Sequence, residues 1–126
     1  MAMVLLEQSP FYRAAAQASL ARALVLRARP AEALAEALAA QALFDSVGGP
    51  EENEASVMLA LAEAHAAVGD RQRARATLED ARERLLARAA RVEEPARRRG
   101  LLERVPTHAR ILELAGQCTL GSDAPR

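Results

Sequence analysis

Two histidines, one cysteine and a run of three arginines are the residues whose types lend themselves to chemistry, so their spacing comes first. His65 and His108 stand far apart in the chain, each without a second metal-ligating residue at a useful interval. A metal needs several ligands that converge, and no paired-Cys or paired-His spacing is present. His65 falls within an apolar helical pattern, which favours a partly buried packing role over proton transfer. His108 falls in the first turn of a short helix and reads as a surface residue. Cys118 has no basic neighbour to stabilise a thiolate, so it is a poor nucleophile. Gly48-Gly49-Pro50 lacks both the Lys and the preceding strand of a phosphate-binding loop. Arg97-Arg98-Arg99 is flanked by Glu93, Glu94 and Glu103 with no interleaved aromatic residue, so it reads as a solvated helix face rather than a nucleic-acid contact. The expectation is a protein without catalytic residues, metal or cofactor.

Composition narrows the class. At 126 residues the chain is one domain's worth and can bury one modest core. Its 17 basic and 17 acidic side chains cancel, which gives no general attraction to nucleic acid or to an anionic membrane. There are one Tyr, two Phe and no Trp, while roughly a quarter of the residues are Ala, with Leu, Arg and Glu supplying much of the rest. Those residues lose little side-chain entropy in a helix, so long helices are expected. The single cysteine rules out an intrachain disulfide and fits a reducing compartment. The apolar run Met3-Val4-Leu5-Leu6 is too short for a signal core or a membrane span, and no basic residue precedes it. A cytoplasmic location, without membrane or nucleic-acid partners, is the expectation.

The elements follow from start and stop signals. Ser9-Pro10 starts a helix, with Ser as N-cap and Pro at the first helical position, where its missing N–H costs nothing. Arg29-Pro30 ends that helix and starts the next, and Ser46-Val47-Gly48-Gly49-Pro50 breaks the chain most clearly. Glu51, Glu52 and Glu54 place negative charge in the first turn of a third helix, where the helix dipole favours it. Gly69 suits the left-handed position after that helix, and Asp70 caps a long fourth one. Its apolar stripe runs Ala74, Leu78, Ala81, Leu85, Ala89 and Val92. Pro95 and Pro106 punctuate two shorter helices. The expected organisation is an N-terminal extension over 1–9, a hairpin over 10–46, a second over 52–92, capping helices over 95–116 and a flexible tail over 117–126.

The two hairpins repeat each other. At an offset of 41 residues Leu61 falls on Leu20, Ala62 on Ala21, Ala64 on Ala23, Ala74 on Ala33 and Ala81 on Ala40, while Gly69-Asp70 falls on Ala28-Arg29. Turns, apolar stripes and helix ends shift together, which Ala-rich composition alone does not require. Ala21, Ala33, Ala62 and Ala74 are then the points of close helix approach. Leu20, Leu24, Leu61, His65 and Leu78 fill the space around them.

The second unit resembles a tetratricopeptide repeat. It has Met58 at the large N-terminal position, Leu61-Ala62 next, and His65 where the family usually has an aromatic residue. Gly69-Asp70 stands at the turn, followed by Ala74, Leu78 and Ala81. Where the family closes on Pro, this chain has Leu86 and the helix runs on. The likeness spans about residues 14–92. More weakly, residues 82–115 are similar to the C-terminal end of repeat regions in large bacterial signalling proteins that carry a Ser/Thr kinase or ATPase module upstream. Arg84, Leu85, Leu86, Arg88, Ala89, Pro95, Leu101, Leu102, Val105, Pro106 and Ala109 carry that similarity.

The resemblance implies an all-α fold of antiparallel helical hairpins in a solenoid segment, with short C-terminal capping helices. It implies a protein- or peptide-binding module whose concave face carries Arg22, Val25, Leu26, Leu59, Glu63, Ala66 and Ala67. Two hairpins are fewer than the roughly three repeats a stable array usually needs, so an open N-terminal face and self-association as a homodimer or larger assembly are expected. The alternative is a compact helical bundle with a small-molecule pocket, as an effector sensor or an enzyme. A closed bundle needs no translational repeat.

Overall fold

Helix-forming residues fill almost the whole chain between the punctuating Pro and Gly positions. In the computed structural model, which describes residues 10–123 and the side chains of all of these except residues 10, 11, 52 and 118–123, six helices form and no strand. They are α1 (Pro10–Leu26), α2 (Pro30–Val47), α3 (Glu51–Ala67), α4 (Arg71–Ala90), α5 (Pro95–Glu103) and α6 (Pro106–Asp123). The fold is therefore all-α, as expected. The expected extension over 1–9 and the last residues of the expected tail, 124–126, lie outside the described residues. The rest of that tail is not loose chain. The expected helical span stops at 116, but α6 continues through Gly116 to Asp123. A glycine inside a helix costs about 1 kcal/mol relative to Ala and lowers helix stability without ending it.

The turns show why the hairpins close. After α3, Gly69 takes φ +89°, Asp70 N–H donates to the His65 carbonyl (2.9 Å) and Gly69 N–H to that of Ala66 (3.0 Å). This pair of bonds satisfies carbonyls the helix end leaves open. After α1, 41 residues earlier, Ala28 takes φ +58°, Arg29 N–H donates to the Leu24 carbonyl (2.9 Å) and Ala28 N–H to that of Val25 (3.1 Å). The two turns are the same motif, built once with Gly and once with Ala. Asp70 then caps α4 by accepting the Arg73 N–H at 3.1 Å. Glu94 caps α5 through both carboxylate oxygens, from Ala96 and Arg97 N–H at 3.0 Å each. Arg98, within the basic run, donates to the Val92 carbonyl and ties the end of α4 to α5.

Packing proceeds from one end to the other. α1 packs on α2 and α3, and α2 also packs on α3; α3 packs on α4 and α6, and α4 also packs on α6. α5 joins α4 to α6 and touches both. Among the described residues α1 meets neither α4 nor α6, and α2 does not meet α4. α6 runs parallel to α3, since His108 shares a small cavity with Ala55 and Met58 while Ala115 packs with Ala62 further along.

The core changes character along this stack. Ala14, Ala18, Ala21, Ala33, Ala37 and Ala40 form the α1–α2 contact and are sealed by Val57, Ala60, Leu61 and Ala64 of α3. Leu24 packs half-buried against this cluster. Beyond α3 the core is larger-grained: Met58 and Leu59 meet Ala81, Leu85 and Ile111, and Ala62 meets Leu78 and Ala115. Ala74 and His65 are buried as expected of packing residues. Leu20, expected beside them, is 47% exposed. Its counterpart Leu61 is buried only because α1 and α2 lie against it, and no described element lies against the same side of α1. His108, expected on the surface, is 1% exposed. The α5–α6 corner brings the Leu101 carbonyl to its Nδ1 at 2.9 Å, which supplies the partner that burial of an imidazole requires.

Candidate functional site

The second half of α1, the end of α3, the start of α4 and α6 enclose a groove of about 1260 Å³. Each wall follows from helical periodicity. Arg22, Val25 and Leu26 lie on adjacent rows of α1, and Glu63, Ala66 and Ala67 take the corresponding rows of α3. Small residues leave the floor open: Ala62, Ala66, Ala67 and Ala74 offer little side chain to fill it, and Leu26 stands at the rim, 88% exposed. Six of the seven residues expected on a concave face therefore line this groove. Leu59 does not. It is fully buried, pointing between α4 and α6 against Leu85 and Ile111. From the packing set, Ala62, Ala74 and Leu78 also contribute to the lining.

Charge in the groove is lopsided. Among the described lining residues, Arg22, Arg71, Arg75 and Arg110 face a single carboxylate, Glu63. Glu63 lies between two helices' arginines: Arg22 Nε donates to Oε1 at 2.6 Å, and Arg110 Nε stands 4.0 Å from Oε2. Its side chain is mostly buried, so this contact is less screened than a surface pair. Arg110 also donates to Glu113 at 2.7 Å. Arg71 and Arg75 have no hydrogen-bonding or ion-pair partner among the described residues, and the Nε of Arg75 is a buried donor without an acceptor. Neither of these arginines was singled out in the sequence, because they flank the α4 stripe where solvent is the default. Arg110, Leu114 and Gln117 were missed because α6 reads as a mere cap until its parallel course beside α3 is known.

A second cluster lies across the start of α3 and the end of α4. Glu51 pairs with Arg88 (3.1 Å) and Arg91 (2.8 Å), and Glu54 with Arg84 (2.9 Å), which Asp80 also meets at 3.1 Å. The Arg84 guanidinium is held above its ordinary pKa, first by the Asp80 hydrogen bond and then by the charges of Asp80 and Glu54. A raised cation pKa contributes below the ordinary value, so this contribution persists through all working pH. The cavity beside it, about 20 Å³, has room for about one water, and the ion pairs clasp the two helices together. Among the described residues no group of three or more His, Cys, Asp or Glu side chains is placed to hold a metal. No described helix is long and apolar enough to cross a membrane. Compared with protein-family models, with curated proteins and with solved structures, the chain matches none.

Proposed function

We propose that the chain is a non-catalytic interaction module of the tetratricopeptide type that binds a protein or peptide in the α1–α3–α4–α6 groove. One observation carries the reading: structural features recur at a spacing of 41 residues. Arg22 and Glu63 occupy that spacing and meet across adjacent helices, and Ala28 and Gly69 occupy it and make the same left-handed turn. Equivalent residues touch their own counterparts when one unit is carried onto the next by translation. A closed bundle around one axis would bring α1 against α4, and among the described residues those two helices do not meet. The groove also exceeds the roughly 300–1,000 Å³ of small-molecule pockets and suits a chain segment better. Service within a larger bacterial signalling or regulatory protein, in the cytoplasm, belongs to the same proposal and rests on the similarity of residues 82–115.

Self-association is the second part. Val57 and Leu61 of α3 are buried against the first hairpin, whereas their counterparts Ala16 and Leu20 on α1 are exposed, as are Tyr12 and Leu38. An apolar face of this kind favours a covering partner. Sedimentation should show a dimer or larger species, and a clean monomer at high concentration would remove this part alone.

The groove is tested by selecting a random peptide library on the full chain. Enriched peptides should bind at least about tenfold more weakly to Ala66→Trp, whose indole fills the groove at an exposed position. Peptides that bind both proteins equally would place recognition elsewhere.

A further inference from the structure

Resting on the groove as the binding site, we infer that its occupant is an acidic stretch of a partner protein, with Asp or Glu side chains set among small apolar ones. The unpaired arginines carry this. Arg71 and Arg75 stand one turn apart on α4 and face the groove, yet no described carboxylate reaches either. Arg75 has in addition a buried Nε donor without an acceptor, a state that costs free energy until an acceptor arrives. Guanidinium groups match carboxylates in planar, paired geometry, so two successive arginines on one wall select acids at matching intervals. The other wall is apolar at Val25 and Leu26, which gives the intervening side chains their surface.

A nucleic acid fits less well. Among the described residues no aromatic side chain lines the groove for base stacking. Glu63 divides the labour among the arginines. It neutralises Arg22 and leaves Arg71 and Arg75 as the free cations, so the acids of the partner lie along α4 rather than α1.

The random library selected on the full chain tests this. Enriched sequences should be rich in Asp and Glu. A synthetic peptide of the enriched sequence should lose at least about tenfold affinity when its acids become amides, and about as much on Arg71→Glu with Arg75→Gln. Arg71→Glu alone, an exposed change that leaves the core untouched, should show part of that loss with an unchanged thermal melt. Raising salt should weaken the native complex and not that of the double variant. Four results would overturn the inference. Enriched peptides that are neutral or basic but still blocked by Ala66→Trp would defeat the acidic partner and leave the module standing. Absence of any groove-dependent peptide would defeat both. A thymidine oligonucleotide that displaces the peptide at equal charge would make the groove a general polyanion surface. A shift in sedimentation of the chain alone on Arg71→Glu would identify a second copy as the occupant.

Discussion

The two hairpins close through the same left-handed turn but are packed with different materials. The fully buried part of the α1–α2 contact is made of alanines, with Leu24, Leu34, Leu43 and Phe44 half-buried around it, while α3 and α4 bury Met58, Leu59, Leu78 and Leu85. On the outside the contrast reverses. α2 exposes Leu38 where α4, 41 residues on, exposes Glu79, and α4 carries the ion pairs that reach α3. The difference reflects position. α3 is covered on both sides, by α1 and α2 on one and by α4 and α6 on the other, so large side chains there find partners in every direction. α1 is covered on one side, and its tight contact with α2 leaves no space that a large residue would fill. Helix spacing is thus set by the smallest residues at the contact, and the larger ones report how many neighbours a helix has.

Position 18 against position 59 breaks or sharpens this comparison most. Ala18 and Leu59 correspond in the repeat, and both are buried to the same degree. Leu59→Ala should cost about 2–5 kcal/mol, because α4 and α6 cannot fully collapse into the space left. Ala18→Leu should also destabilise, by about 1–3 kcal/mol, because the alanine contact has no room for it. Denaturant melts of both variants decide the matter. If Ala18→Leu is neutral or stabilising, the first hairpin is loosely packed rather than close-packed, and the contrast drawn above fails.

The same contrast marks where the sequence was readable. Helix ends at Pro30, Gly69, Asp70, Pro95 and Pro106 were legible because each acts locally, the prolines and Gly69 through their own backbone and Asp70 through a side chain that caps the next turn. The groove-lining residues of α1 and α3 were legible because they share rows on helices whose spacing the repeat sets. Leu59 and His108 depart from expectation for one reason: Leu59 on α3 and His108 on α6 are both buried when α6 docks, the place of α6 depends on how α5 turns the chain, and no local pattern specifies that turn. Arg71 and Arg75 look like ordinary solvated arginines until the opposite wall is in place. Leu20 was assigned to the core by its correspondence with Leu61, but correspondence carries over a residue's direction, not its neighbours.

The turns offer a smaller and cleaner comparison. Ala28 and Gly69 adopt the same left-handed conformation, which costs a residue with a Cβ about 1–2 kcal/mol and glycine almost nothing. No atom lies within 4 Å of where a Cβ on Gly69 would stand, so Gly69→Ala tests the backbone term alone and should cost about 1 kcal/mol. Ala28→Gly should stabilise by about 0.5–1 kcal/mol, the relief of strain less the added freedom of the unfolded chain. Opposite signs in matched melts are the expected result. Two losses would mean that Ala28 does not hold this conformation in solution, and the equivalence of the turns would fall with it.

The smallest effect is expected where a polar residue stands in for an apolar one. His65 corresponds to Leu24, and both face the interior of their hairpins. Leu24 is half-buried and loses nothing by it, whereas His65 is buried with an Nδ1 that finds no partner. An unmatched polar atom of this kind opposes folding, and an apolar side chain of similar size removes it. His65→Leu should therefore leave stability unchanged or raise it by up to about 1 kcal/mol. The lower bound is informative too. A loss on substitution would mean that Nδ1 is matched in solution, by water reaching the end of α3, and the second hairpin would then be more open at its turn than the first.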